Sequence, residues 1–339
     1  MGISKDKRLE IGDWEIRRAN SPIPQSPNLP ISQSLIFFLY IIILPLLFSA
    51  CASTPPITKI GLLAPFEGLY RESGYAALVA TRAALADGNA PAAAILPLAL
   101  DDGDRAETAR RSGEKLLIDP QVAAVVGPLT PWAAAGAAVA LADETLWLTP
   151  FALTPETGFV DPRAGYGWAD AWVAATAQAM QARGAVRLIL AGRRAGWPAY
   201  SAEEWAAIAA MPVLVSDEPT AVAPGDAVLW LGDGGDGAAY LNALRVYAPQ
   251  TPFWTGMHAA TSVFIDRAES LESVYWTIWA PVDYNPAIAP GLPDASPAQL
   301  VYLATQAALN RITASSLPLD HGWQLQIFDL SSGRSVIAH

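Results

Sequence analysis

Cysteine is almost absent: the 339 residues contain one, Cys51. That excludes an intramolecular disulfide and any thiolate metal cluster. Histidine is nearly as scarce. His258, His321 and His339 are the three, scattered and without metal-ligand spacing, so a zinc site is not expected. Charged residues make up only 16% of the chain, and basic ones are outnumbered 21 to 32. The first 50 residues hold five of the basic and four of the acidic side chains, leaving 16 against 28 in the remainder. Such a surface repels phosphate backbones, and no basic cluster interleaved with aromatics occurs, so nucleic acid is excluded as a partner. There is no G-x-S-x-G elbow and no sequence-linked nucleophile–base pair, so an enzyme is not expected. No cofactor is implied.

What is present is apolar material, 52% of the residues, enough for two packed lobes. Leu35 to Phe48 (LIFFLYIIILPLLF) is a continuous apolar run of 14 residues interrupted by Pro45. A spanning helix needs about 20 residues, so the run reads as the core of a signal peptide. Ser49, Ala50 and Cys51 follow, then the loop-like ASTPP. F-S-A-C resembles a bacterial lipobox, in which a signal peptidase cuts before a lipidated cysteine. Cys51 is thus the expected lipidation site, placing the protein outside the cytoplasm on a cell membrane through acyl chains.

Beyond the tether the chain alternates strands and helices at intervals of about 25 residues, which implies βαβ units and parallel sheets. Strands are expected at 58–66, 94–100, 122–126 and 146–150, with helices at 74–87, 105–118 and 133–142 between them. Gly88-Asn89 reads as a helix stop and Asp104 as an N-cap. The pattern then restarts with a helix over 170–183, strands at 186–191, 213–215, 227–231, 252–255 and 274–279, and helices at 202–210, 238–247 and 297–312. Gln324 to Phe328 alternates like an edge strand and turns at Ser332-Gly333. The expected fold is α/β, two Rossmann-like lobes with parallel sheets joined by hinge crossovers. Residues 1–50 form the leader and 51–57 the tether. Residues 58–165 with about 282–319 form lobe 1, and 166–281 with about 320–339 lobe 2. Five prolines between Pro281 and Pro297 suit a segment that crosses between lobes.

Two acidic stretches invite chemistry. Gly232, Gly234 and Gly237 match G-x-G-x-x-G. A dinucleotide fingerprint should open the first βαβ unit, however, and Asp233 and Asp236 oppose a pyrophosphate. The loop therefore reads as a tight strand-end turn whose Asp233 looks across a cleft. DDGD at Asp101 to Asp104 lacks the spaced ligands of a calcium loop and reads as a turn and helix cap.

Several blocks, in order, resemble the type I periplasmic binding proteins of the branched-chain amino-acid receptor group. They are KIGLLAPFEGLYRESG, the long segment from LALDDGD to VVGPLTPWAAAGAA, LWLTPFALTPE, AVRLILAGRRAGWPAY, GDAVLWLGDGGDGAAYLNAL, TPFWTGMH and SPAQLVYLATQAAL. The likeness runs from about Lys59 to about Asn310. It implies a small-molecule solute, amino acid or more apolar, held between closing lobes and delivered to the membrane permease of an ABC transporter by a monomer. The first contact loop of the family falls on Tyr70, Arg71, Glu72 and Ser73, and its serine-rich loop on Thr130-Pro131-Trp132. Its carboxylate-holding segment falls on Phe151-Ala152-Leu153, with Thr154 one place later. Trp197 stands where a Tyr usually stacks on ligand, Asp233 lies at a strand mouth, and His258 replaces an ammonium-binding glutamate. Proline has no N–H to offer a carboxylate, so Thr130 would substitute for Pro131. The alternative open at this point is a binding lobe that serves as a surface sensor or a protein-interaction module in the envelope.

Overall fold

The computed structural model describes residues 57–87, 95–141, 145–154, 158–159, 165–259, 261–281, 295–313, 322–331 and 334–337. The leader, Cys51 and its tether, the Gly88-Asn89 stop, most of the proline-rich stretch after Pro281 and the Ser332-Gly333 turn lie outside the described residues. Among the described residues no helix is long and apolar enough to cross a membrane.

The first sheet holds β1 (Thr58–Ala64), β2 (Ile95–Asp101), β3 (Val122–Val126) and β4 (Leu146–Leu148), all parallel, in the order β2-β1-β3-β4. The run IGLLA of β1 is fully buried beyond Lys59, as a central strand covered on both faces requires. Helices α1 (Arg71–Asp87), α2 (Ala106–Ile118) and α3 (Pro131–Leu141) make the crossovers. The last two sit close together, since a Cβ at Gly136 would collide with the Ala106 carbonyl.

A short hairpin of β5 (Leu153–Thr154) and β6 (Gly158–Phe159) precedes the second sheet. That sheet contains β7 (Arg187–Ala191), β8 (Val213–Val215), β9 (Asp226–Trp230), β10 (Phe253–Thr255), β11 (Val274–Pro281), β12 (Trp323–Asp329) and β13 (Arg334–Ile337). Its order is β13-β12-β11-β10-β9-β7-β8, parallel from β8 to β11 and antiparallel beyond. Helices α4 (Gly167–Ala182), α5 (Ala202–Ala209), α6 (Gly234–Tyr247) and α7 (Ser262–Arg267) belong with these strands. The last helix, α8 (Ala295–Thr313), packs on α1 in the first lobe. Buried residues of α1 and α8 share one core with Trp276 and Ile278 of β11 and Phe328 of β12, which ties the lobes together at one end.

The two-lobed α/β architecture agrees with the sequence expectation, and the differences are local. Five helices begin earlier than their apolar periodicity indicates, α3 and α8 by two residues and α1 at Arg71, α4 at Gly167 and α6 at Gly234 by three or four. The first turns of α1 and α6, RESG and GGDG, are polar or glycine-rich, so their apolar signal starts a turn late. The 324–328 strand is not an edge, because β13 pairs beyond it. Asp104 is not the cap of α2. Arg105 occupies that position without a side-chain cap, while Asp104 takes a left-handed backbone at φ 53°.

Candidate functional site

Both sheets share the order 2-1-3-4, so each has a switch point between its first and third strands, where adjacent crossovers leave on opposite faces. Loops at the carboxyl ends of such strands form crevices. The β1 loop carries Tyr70, and the β3 loop carries Thr130 and leads into Trp132. In the second lobe, the β7 loop carries Arg194 and Trp197, the β9 loop Asp233 and the β10 loop His258. All converge on one cleft between the lobes.

His258 stands at its centre and separates two small cavities. One, of about 30 Å³, is apolar and lined by Phe151, Trp168, Trp172, Trp197 and Trp279 among others. The second, of about 20 Å³, is lined by Tyr70, Ser73, Asp104, Thr130 and Thr261. Met257 and His258 wall both. Each cavity has room for no more than a water or two, since a water needs about 10–15 Å³. The rings around the imidazole are close-packed. Trp197 lies 5.2 Å from it, Trp172 5.9 Å and Trp132 6.1 Å, all edge-on. Trp197 also meets Trp168 at 5.3 Å and Trp172 at 5.6 Å, and Phe151 lies edge-on to Trp168 at 5.0 Å. Burial pulls the imidazole pKa down to about 4, against the opposing pull of the Trp230 carbonyl and Asp233. The neutral ring therefore donates from Nε2 to that carbonyl oxygen at 3.2 Å.

The polar side is a chain of charge-assisted contacts across the lobes. The Tyr70 hydroxyl donates to Asp233 Oδ1 at 2.6 Å and accepts from the Gly235 N–H at 3.0 Å. Burial, and then Asp233, push that hydroxyl well above its ordinary range, so it stays a donor. Asp233 also caps α6, accepting from the Asp236 N–H at 2.9 Å, and pairs with Arg194. Arg194 reaches Asp236 at 2.6 Å and lies over the Trp132 ring, 5.2 Å from its centroid. Asp104 Oδ1 accepts from Thr130 Oγ1 at 2.7 Å and from Trp132 Nε1 at 2.9 Å. Burial raises this carboxyl to about 6, with those two donors pulling the other way. At the rim, Ser262 donates to Glu72 at 2.8 Å.

The glycines of LWLGDGGDG have a different role from the tight turn expected of them. None of Gly232, Gly234, Gly235 or Gly237 has a positive φ, and the last three are helical. A Cβ at Gly192, Gly232 or Gly237 would fall 2.7 Å from the Trp230 indole, so these glycines make room for that ring. Trp230 in turn donates from Nε1 to the Asp233 carbonyl oxygen at 2.9 Å and so fixes the cap residue. With Asp236 and Gly235 N–H groups already taken and Asp233 in place, the α6 N-terminus is a poor phosphate cradle. Among the described residues no group of three or more His, Cys, Asp or Glu is placed to hold a metal ion.

In solved structures this architecture recurs at low identity. The chain aligns over 86% of its length with 98% of a possible leucine/isoleucine/valine-binding protein from Rhodopirellula baltica, at TM-score 0.63 and 14% identity. A type 1 periplasmic binding protein from Bordetella pertussis matches 83% of the chain with 99% of its own, at TM-score 0.59 and 16% identity. The substrate-binding protein LivJ of a branched-chain amino acid transporter, from Streptococcus pneumoniae and in complex with isoleucine, gives 0.57 and 13% over 83% and 99%. This chain has the type I periplasmic binding protein fold. No protein-family model and no curated protein matches the sequence.

Within that fold the residues singled out from sequence fall unevenly. Tyr70, Ser73, Thr130, Phe151, Trp197 and His258 line the two cavities, and Trp132 and Asp233 touch the residues that do. Arg71 is exposed and lines neither cavity, and Ala152 is buried in the second lobe's core. The Thr154 side chain lies outside the described residues. The sequence reading missed Trp168, Trp172, Arg194 and Asp104. A signal for the first two was present: GWADAW spaces them four apart, which puts both on one helix face. Asp104 was read as a cap because its partners, Thr130 and Trp132, are distant in sequence.

Proposed function

We propose that this chain is an extracytoplasmic solute-binding lipoprotein of an ABC-type uptake system. It closes two lobes on a small solute, presents the closed form to a membrane permease, works as a monomer and catalyses no reaction. The observation that carries the reading is the cleft itself, in which the switch-point loops of both sheets meet and Tyr70 of one lobe bonds Asp233 of the other. Ligand drives such closure only by binding the closed state better than the open one. The contacts assigned to the solute are those of Tyr70, Ser73, Thr130, Trp132, Phe151, Trp197, Asp233 and His258. Arg71, Ala152 and Thr154 are kept as contacts of an opened cleft. The named functions of the solved structures, transport of branched-chain amino acids among them, support the solute class at the level of a small organic molecule.

A thermal-shift screen of solutes on the purified protein tests this. A true ligand at 100 times its Kd adds about 2.7 kcal/mol and raises the melting temperature by several degrees. If no solute does so, the second reading takes over, an envelope sensor or protein-interaction module. The near-filled state of both cavities favours that rival. The lipid anchor is tested separately by labelled palmitate, which Cys51→Ser should abolish; label retained by that variant rejects the anchor.

A further inference from the structure

The charges and rings of the cleft narrow the solute, given the solute-binding reading above. We propose that the cleft takes an amphipathic organic cation, an amine or quaternary ammonium without a carboxylate. Its charged head faces Asp104, and its flat apolar body lies among Trp168, Trp172 and Trp197.

Four observations converge. The first is charge. Of the guanidiniums near the cleft, Arg194 is already paired with Asp233 and Asp236, while Arg71 and Arg267 are exposed at the rim and line neither cavity; His258 is neutral. Asp104 is bonded only to the Thr130 hydroxyl and the Trp132 indole, and Arg194 acts on it through space without a direct pair. The second is the lack of donors for an anion. The Thr130 hydroxyl and Trp132 N–H are spent on Asp104, the Tyr70 hydroxyl is spent on Asp233, and Pro131 has no N–H. A carboxylate entering here would meet Asp104 and Asp233 with these side-chain donors already engaged.

The third observation is the ring set. Phe151, Trp168, Trp172 and Trp197 form a contiguous aromatic wall with centroids 5.0 to 5.6 Å apart. Such a wall offers large flat faces on which the solute's apolar body stacks. The fourth is internal. Arg194 already places a cation over the Trp132 ring, 5.2 Å from its centroid, between carboxylates. The protein's own guanidinium thus demonstrates that a planar or diffuse cation is accommodated at this end of the cleft. Trp279 adds one buried N–H without a partner on the apolar side, suited to a hydroxyl or ether oxygen on the solute's body. Because the two cavities are small and separated by His258 and Met257, the solute enters an opened cleft and displaces these side chains.

The test is titration calorimetry, with tryptophan fluorescence as a second readout, on the purified full-length protein. The probes are choline, phenethylamine, 3,3-dimethylbutanol (a neutral isostere of choline), phenylacetate and L-leucine. Choline or phenethylamine should bind at least about tenfold more tightly than the neutral isostere and quench tryptophan emission. Asp104→Asn, which keeps an acceptor for Thr130 and Trp132, should erase that preference. The comparison of cation with neutral isostere on the native protein needs no variant, so a poorly folding Asp104→Asn leaves the proposal open to refutation. Tighter binding of L-leucine or phenylacetate than of either cation overturns the cation assignment while the solute-binding reading stands. Silence of all five probes also overturns it, and the wider solute screen then decides the reading beneath.

Discussion

Asp102 is buried at the end of β2 with 1% of its surface exposed. Its Oδ1 accepts from the Asp104 N–H at 2.8 Å, while Oδ2 has no partner. Burial pushes this carboxyl up to about 8, far above the value near 4 of an unfolded chain. The folded protein therefore keeps a proton between pH 4 and 8 that the unfolded chain has released. Stability falls as pH rises through that window, by up to about 1.4 kcal/mol per unit, and levels off above pH 8. Asp102→Asn mimics the protonated form and escapes the loss. Its melting temperature should match the native protein at pH 4 and pull progressively ahead up to pH 8. A gap that stays constant across thermal melts from pH 4 to 9 would mean that Asp102 ionises normally.

Helix α6 shows how a local rule reverses in context. Replacing a helical glycine by alanine ordinarily stabilises by up to about 1 kcal/mol. At Gly237 the added methyl would lie 2.7 Å from Trp230 Nε1, and the indole has no room to retreat because Gly192 and Gly232 are equally close to it. Gly237→Ala should therefore destabilise by about 1–3 kcal/mol, the cost of an overpacked core. Urea denaturation measures it, and pairing the change with a smaller residue at Trp230 should recover part of the loss. A stabilising Gly237→Ala would refute the account of these glycines as ring clearance.

At the scale of the whole molecule, the lobes are held together by contacts that any opening must break. Tyr70 spends its hydroxyl twice, on Asp233 and on the Gly235 N–H, and Glu72 meets Ser262 nearby. Tyr70→Phe removes both hydroxyl bonds and leaves Asp233 with one donor fewer, a loss of about 1–3 kcal/mol from the closed state. Spin labels placed on the two lobes should report a longer, broader distance distribution in this variant than in the native protein. An unchanged distribution would mean that closure rests on the shared core around α8 and β11 instead.

The sequence by itself determined the layered α/β pattern, the restart of that pattern near residue 166 and most of the loops that meet at the cleft. Apolar runs and turn residues are local signals, and several of the strand ends they mark, those near 191, 231 and 255 among them, open into the cleft. Asp233 was legible in this way, whereas Tyr70, Thr130, Trp197 and His258 were picked out by the resemblance to the binding-protein family. What only the tertiary structure decided was which groups neutralise one another. Arg194 and Asp233 are 39 positions apart, and Asp104 and Trp132 are 28 apart. Hydrogen bonds and ion pairs at such separations leave no periodic trace in a single chain. The same holds for LWLGDGGDG. Its spacing shows a glycine-rich strand end, but only packing reveals that the glycines face an indole, because clearance around a ring is a property of three-dimensional neighbours.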